Sequence, residues 1–200
     1  MNDIKHYLSL FPETNKKLLK VAGVLFIVAF IAQAASIFAI RPLAGRFFLL
    51  ESDIIELIAI VALVAGTFAD RRLLIVFGAI IILVMNGREW LTCPLTWRVL
   101  CYAALDLGTY AITLVLLLLP RASSSRVLPA LAVLITVVKI IDYAVNAIAL
   151  IGVYTTPLGV AFYIAGVIAL QAGIACVACA VATGVAKKST RAMAATIPEK

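Results

Sequence analysis

The chain has 200 residues, of which 64% are hydrophobic and 14% are charged, and its mean hydropathy is +1.14. Soluble domains contain about 45–50% apolar and about 25% charged residues, and a fold of this size cannot hide so much more apolar surface from water. The composition excludes a water-soluble protein, and it predicts an integral membrane protein with no separate soluble domain. The net charge of +7 does not indicate nucleic-acid binding, because the basic residues cluster at the ends of apolar segments.

Six apolar segments predict an all-α, polytopic helical bundle. They are residues 18–40, 54–69, 73–86, 99–119, 127–153 and 158–186. A membrane-spanning helix needs about 20 residues, and the first, fourth, fifth and sixth segments reach that length. The second and third are short and predict a tight hairpin around Asp70, Arg71 and Arg72. We expect six crossings; a re-entrant hairpin would leave four.

The basic residues orient this bundle. One side of the predicted topology holds Lys5, Lys16, Lys17, Lys20, Arg71, Arg72, Arg121, Arg126, Lys187, Lys188, Arg191 and Lys200. The other side holds only Arg41, Arg46, Arg88 and Arg98. Because cytoplasmic loops carry the excess of Lys and Arg, both termini are predicted to be cytoplasmic, in the plasma membrane of a bacterium. The predicted organisation is a cytoplasmic or interfacial segment 1–17, a transmembrane bundle 18–186 and a basic cytoplasmic tail 187–200.

Three charged residues lie inside the fourth and fifth segments: Asp106, Lys139 and Asp142. A charge at the centre of a bilayer costs about 2.5–3.5 kcal/mol on insertion scales. The loop around Ser123 is short, so these two helices must be antiparallel neighbours. At 1.5 Å per residue, the three groups fall within about 5 Å of one another in depth. The sequence therefore predicts a contact between Asp106 and Lys139, although Lys139 and Asp142 are also close enough to pair along one helix.

Polar side chains share the helix faces that carry these charges. They are Tyr102, Thr109, Tyr110 and Thr113 on the fourth segment and Thr136, Tyr143 and Asn146 on the fifth. Lys139 can neutralise only one of the two carboxyls, so the other holds a proton or leaves the cluster negative. We predict a ligand site for a small solute, ion or proton, formed by Asp106, Lys139, Asp142, Tyr102, Tyr110, Tyr143 and Asn146. The alternative is a structural ion pair that fixes the register of the two helices.

The four cysteines form two pairs. Cys176 and Cys179 make a CxxC in the last segment, and Cys93 and Cys101 are eight residues apart. This spacing resembles that of the vitamin K epoxide reductase family, and the resemblance implies a membrane thiol oxidoreductase with these four residues as its redox groups. The chain departs from that family because it lacks the serine-rich segment after the second loop cysteine. The predicted topology also puts the two pairs at opposite membrane faces.

Small residues recur every four positions along the sixth segment. The two files are Ala161, Ala165, Ala169 and Gly173, and Ala172, Cys176, Ala180 and Gly184. Such files allow close helix packing, which gives Cys176 and Cys179 a second explanation as small packing residues.

Isolated polar residues carry weaker signals. Asp53 and Glu56 are three apart at the start of the second segment, which is typical of a helix-capping pair. Gln33 and Gln171 predict interhelical hydrogen bonds. No phosphate-binding loop, zinc motif or hydrolase signature is present, so no catalytic residue, metal or cofactor is predicted.

The function predicted first is a small-solute or ion- or proton-coupled transporter, or a subunit of a transport complex, without enzymatic activity. The alternative is a non-catalytic scaffold or accessory subunit. Its small-residue helix faces would bind another membrane subunit or a second copy of the chain. A membrane thiol oxidoreductase comes third. The expected partners are the lipid bilayer and such a membrane subunit, and not nucleic acid.

Overall fold

The computed structural model describes residues 14–40, 50–91, 93–94, 96–119, 127–153 and 157–195. Within these ranges the chain forms six α-helices and no strand: α1 Lys16–Ile40, α2 Leu50–Phe68, α3 Arg72–Leu91, α4 Trp97–Leu118, α5 Val127–Val153 and α6 Pro157–Ala195. The predicted all-α class is confirmed. The predicted N-terminal segment lies almost entirely outside the described residues, and α6 continues into the predicted tail.

Four of the described helices, α1, α4, α5 and α6, are long and apolar enough to cross a membrane. They are the four that the segment lengths single out. The predicted hairpin is also present, because α2 ends at Phe68 and α3 begins at Arg72. Asp70 has a φ of 56°, and the amide of Arg71 donates to the carbonyl of Gly66 at 2.8 Å. This is the Schellman arrangement, which closes a helix with one left-handed residue.

Apolar side chains cover the outside of the bundle and polar ones lie within it. Large exposed apolar residues occur on the described helices, for example Ile31, Ile58, Val84, Leu134 and Ile141. Polar residues with no more than 7% of their surface exposed include Gln33, Thr109, Thr136, Lys139 and Gln171. Water would penalise this distribution, whereas acyl chains solvate the apolar exterior and drive polar groups inward. The structure is that of a helical membrane protein.

The tightest packing in the bundle joins α1 to α6. The two helices are antiparallel, since Asn15 donates its amide to the carbonyl of Ala180 and Ser36 donates its hydroxyl to that of Gly159. A Cβ added at Gly173 would lie 2.5 Å from the ring of Phe26. The absence of side-chain atoms at Gly173 therefore allows this approach.

The predicted small-residue files of α6 are therefore used in part for packing within the chain. Ala169 and Ala180 are buried, as is Gly173, whereas Ala161 and Ala165 are exposed.

The packing of α6 against α4 and α5 is less extensive than its packing against α1. Helices α1, α2, α3, α4 and α6 follow one another around the bundle, and α5 packs against α4 and α6. Of the four candidate spans, α6 is the most buried and α5 the least. The helix that carries Lys139 is therefore the most peripheral span.

Candidate functional site

Lys139 of α5 and Asp106 of α4 form the predicted ion pair. Lys139 Nζ lies 2.5 Å from Asp106 Oδ1, with 9% of the lysine side chain and 28% of the aspartate side chain exposed. The ammonium also lies over the ring of Tyr143, 5.7 Å from its centroid, within reach of the favourable cation–π attraction. The antiparallel hairpin brings the two residues to one depth, as the spacing predicts.

Threonines continue this polar seam toward the predicted cytoplasmic side. Thr109 Oγ1 and Thr136 Oγ1 are 3.5 Å apart. Because Thr136 donates its single hydroxyl proton to the carbonyl of Ala132 at 2.9 Å, the Thr109 hydroxyl is the donor between the two. Thr113 Oγ1 lies 2.8 Å from the carbonyl of Thr109 and 3.4 Å from that of Ile174 on α6. The polar face of α4 therefore contacts both α5 and α6.

A second polar contact joins α1 to α2. Gln33 Nε2 donates to Glu56 Oε1 at 3.0 Å, which confirms the predicted interhelical bond of Gln33. The capping role predicted for Asp53 and Glu56 is wrong, because α2 already begins at Leu50. Both acids therefore lie within the helix, and Glu56 reaches a neighbouring helix instead of its own first amides.

Tyr110 lies near both contacts. Its side chain is buried, with 1% exposed, and it lies within electrostatic range of Glu56, Asp106, Tyr143 and Tyr163. Tyr143 and Tyr163 are hydrogen-bonded to each other. Seven described residues on five helices are here called the polar cluster: Gln33, Glu56, Asp106, Tyr110, Lys139, Tyr143 and Tyr163.

The remaining predicted site residues lie around this cluster. Asp142 is partly buried and within electrostatic range of Tyr143. Tyr102 lies near the beginning of α4, one turn before Asp106, with 49% of its surface exposed. Asn146 is on α5 one turn beyond Tyr143, and its side chain lies outside the described residues.

The two cysteine pairs lie at opposite ends of the bundle. Cys93 and Cys101 are exposed near the beginning of α4. Cys176 and Cys179 are half-buried on α6, next to Ala180, whose carbonyl accepts from the residue that precedes α1. Their position at opposite membrane faces and a redox role for them both stay predictions. Within the described ranges, no three His, Cys, Asp or Glu side chains come together in a way that could hold a metal ion.

The fold and the cluster define a class: a polytopic helical membrane protein with ionised and aromatic polar groups held between its helices. Comparison with known proteins adds nothing to this class, because no protein-family model, curated protein or solved structure matches the chain.

Proposed function

We propose that the chain is a small-solute or ion- or proton-coupled membrane transporter, or a subunit of a transport complex, with Asp106 and Lys139 at the centre of its site. The observation that carries this proposal is the burial of the Lys139 ammonium against a carboxylate that keeps 28% of its side chain accessible. Charges between membrane helices are costly and are typical of ion and substrate pathways. The Lys139 ammonium is therefore enclosed by protein, whereas part of the Asp106 side chain reaches the surface of the bundle.

The pair has the chemistry of an exchangeable site. A proton or cation that reaches Asp106 neutralises the carboxylate and weakens its attraction for Lys139. The released ammonium still has the Tyr143 ring 5.7 Å away and the Asp142 carboxylate one turn along the same helix. Because the ammonium keeps favourable surroundings in both states, the exchange needs no exposure of a bare charge to lipid. The distribution of basic residues supports cytoplasmic termini, and the membrane that we propose is the plasma membrane of a bacterium.

The test of this proposal is proton flux into proteoliposomes that hold the purified chain and a trapped pH-sensitive dye. We expect flux under an imposed pH gradient, and its loss in Asp106→Asn with the helical circular dichroism unchanged. Asp70→Asn is the matched control: it removes one carboxylate from the hairpin turn, and asparagine tolerates the left-handed conformation. Loss of flux in both variants, or in neither, contradicts the proposal.

A scaffold or accessory role is the second candidate. Exposed Ala161 and Ala165 leave a small-residue surface on a face of α6 other than the one that packs on α1. Small residues let a second membrane helix approach closely, so this surface suits a membrane subunit or a second copy of the chain. This role predicts that Ala165→Leu abolishes co-purification or self-association while flux is absent from the unmodified protein.

A further inference from the structure

One end of the bundle carries a dense group of positive charges. Five basic residues lie at the start of α1 and at the turn between α2 and α3: Lys16, Lys17, Lys20, Arg71 and Arg72. In these two described stretches, 14–24 and 66–75, the only acidic residue is Asp70. Its carboxylate is paired with Lys16. This end of the described bundle therefore has a strong excess of positive charge.

Two contacts hold the start of α1 against the end of α2. Lys16 Nζ lies 3.6 Å from Asp70 Oδ2, and a Cβ added at Gly23 would lie 2.8 Å from the ring of Phe68. Lys20 is one turn after Lys16 and one turn before Gly23, so it lies on the same face of α1 between the two contacts. Since Lys20 is exposed, its ammonium lies on the surface beside the hairpin turn.

Arg71 adds a second exposed cation at this turn. It directly follows Asp70 in the chain, and it is exposed. Neither the Lys20 nor the Arg71 side chain forms an ion pair with another described residue. Lys16 and Lys20 are four residues apart on one helix, a spacing at which like charges repel. The arrangement is therefore one that a bound anion would stabilise.

Exposed apolar side chains lie directly below these charges, toward the middle of the bundle. Val24 follows Lys20 by one turn on the same face of α1 and is 54% exposed, and Phe68 of α2 is 52% exposed. Four helical residues span about 6 Å, so one amphiphilic molecule reaches both the cations and the apolar surface. A free phosphate ion would contact only the cations, whereas a phospholipid offers a phosphate to the cations and an acyl chain to the apolar side chains.

The course of α6 increases the positive charge at the same end. The amide of Asn15 donates to the carbonyl of Ala180, which places the start of α1 beside α6. From Ala180 to Ala195, α6 contains three basic residues and no acidic one. The anions that concentrate at a cytoplasmic membrane surface are those of acidic lipids, and the basic residues predict that this end is cytoplasmic. Charge and location thus favour the same partner.

We propose that Lys20 and Arg71 bind the phosphate of an anionic glycerophospholipid. One acyl chain of this lipid lies along Val24 and Phe68. The ammonium and guanidinium groups donate charge-assisted hydrogen bonds to the phosphate oxygens, and lipid carbon covers the exposed apolar side chains. The site does not involve the polar cluster, and it holds whether or not the chain transports a solute.

The test measures the thermal unfolding of the full chain in a non-ionic detergent to which phosphatidylglycerol is added. Phosphatidylcholine with the same acyl chains is the zwitterionic control, and glycerol 3-phosphate supplies the phosphate without acyl chains. A ligand that binds only the folded state raises the melting temperature with its concentration. We expect phosphatidylglycerol to produce a given rise at a concentration about tenfold below that of either control.

Paired variants separate this site from a general effect of charge. Lys20→Gln with Arg71→Gln removes both cations, and we expect the preference for phosphatidylglycerol to fall below about twofold. Arg88→Gln with Arg98→Gln is the matched control, because it removes two exposed charges at the opposite end of the bundle and should retain the preference. Lys20→Arg with Arg71→Lys keeps both charges and should also retain it. If the first pair impairs folding, each glutamine variant alone should still lower the preference, by about threefold.

Three results would overturn the lipid site. The first is an equal response to phosphatidylglycerol and phosphatidylcholine in the unmodified chain. The second is a preference that survives in both glutamine variants at Lys20 and Arg71, or that the control at Arg88 and Arg98 loses equally. The third is an equal response to glycerol 3-phosphate, which would indicate a site for free phosphate. Proton flux that depends on Asp106 is measured separately, so none of these results decides the transport proposal.

Discussion

Two helix interfaces of this protein achieve association in opposite ways. Where α1 meets α6, the backbones approach closely, with Gly173 against the Phe26 ring and Gly166 against the aliphatic part of Gln33, and a single side-chain hydroxyl, that of Ser36, bonds across the described part of the interface. Where α4 meets α5, longer polar side chains bridge the helices through Lys139, Asp106 and two threonines. Lipid supplies no hydrophobic drive between helices, so van der Waals packing and interhelical hydrogen bonds have to hold them. The first interface relies on packing and the second on polar contacts.

The difference matters for function because only polar contacts offer alternative partners. A methyl group in the α1–α6 interface has no other arrangement of equal energy, since separation would open a void. In the α4–α5 seam, the Lys139 ammonium has a carboxylate at one side and an aromatic ring at the other. The tight interface is thus the frame of the bundle, and the seam is the part whose contacts can exchange.

The largest expected effect comes from removing the ion pair between α4 and α5. Lys139→Met removes the ammonium and leaves the Asp106 carboxylate beside an apolar side chain, and loss of one partner of a buried pair costs about 3–5 kcal/mol. We expect the free energy of unfolding in mixed micelles to fall by about 3 kcal/mol, because Asp106 is accessible enough to be neutralised by a proton. The double variant Lys139→Met with Asp106→Leu should recover most of this loss. A single variant as stable as the unmodified protein would contradict the seam described here.

The next largest effect is expected in the close packing between α1 and α6. Gly173→Ala places a methyl group against the Phe26 ring, and overpacking costs about 1–3 kcal/mol. Phe26→Leu should restore part of the stability in the double variant. Gly87→Ala is the matched control, because its Cβ would meet nothing nearer than 3.9 Å and alanine favours a helix by about 0.5–1 kcal/mol. If both glycine variants change the melting temperature alike, close approach is not what holds α1 to α6.

A smaller effect is expected for the threonine bridge. Thr136→Val keeps the shape of the side chain and removes the hydroxyl that accepts from Thr109. Interhelical hydrogen bonds in membrane proteins average about 0.6 kcal/mol, so we expect a loss of that order. Thr183→Val removes a hydroxyl that bonds only the carbonyls of its own helix among the described contacts. It should change the free energy of unfolding by less.

The smallest expected effect is the loss of an exposed ion pair, which serves as a comparison for the buried one. Lys16 and Asp70 form an ion pair at 3.6 Å with 72% and 39% of their side chains exposed. Exposed pairs contribute about 0.2–1 kcal/mol and are screened by salt. We expect Lys16→Met to lower stability by a few tenths of a kcal/mol, and this difference should shrink further in high salt. A loss as large as that of Lys139→Met would show that burial does not separate the two pairs.

The sequence is sufficient to predict contacts between two helices that are joined by a short loop. The spacing of Asp106 and Lys139 about that loop fixes their depth, and the hairpin at Asp70 follows from charged residues between two short apolar segments. The contact of Gln33 with Glu56 was not predicted, although the same kind of hydrogen bond was expected for Gln33. Its partner depends on where α2 begins, and α2 extends outward to Leu50, beyond the apolar segment that starts at Ile54.

Tyr163 was missed for a related reason. It lies near the beginning of α6 among small and apolar residues, and no charged or repeating neighbour marks it. Only the lateral arrangement of α5 and α6, which no local pattern encodes, brings it to Tyr143.

The length of α6 has a mechanical consequence. With 39 residues, it is about 58 Å long, nearly twice the hydrocarbon thickness of a bilayer, which is about 30 Å. Beyond Ala180, where it meets the start of α1, the helix continues for about 22 Å. Tyr163 therefore lies in the part of the helix that α1 holds at Gly159, Gly173 and Ala180. A displacement of Tyr163 relative to Tyr143 would require α1 and α6 to move as one body.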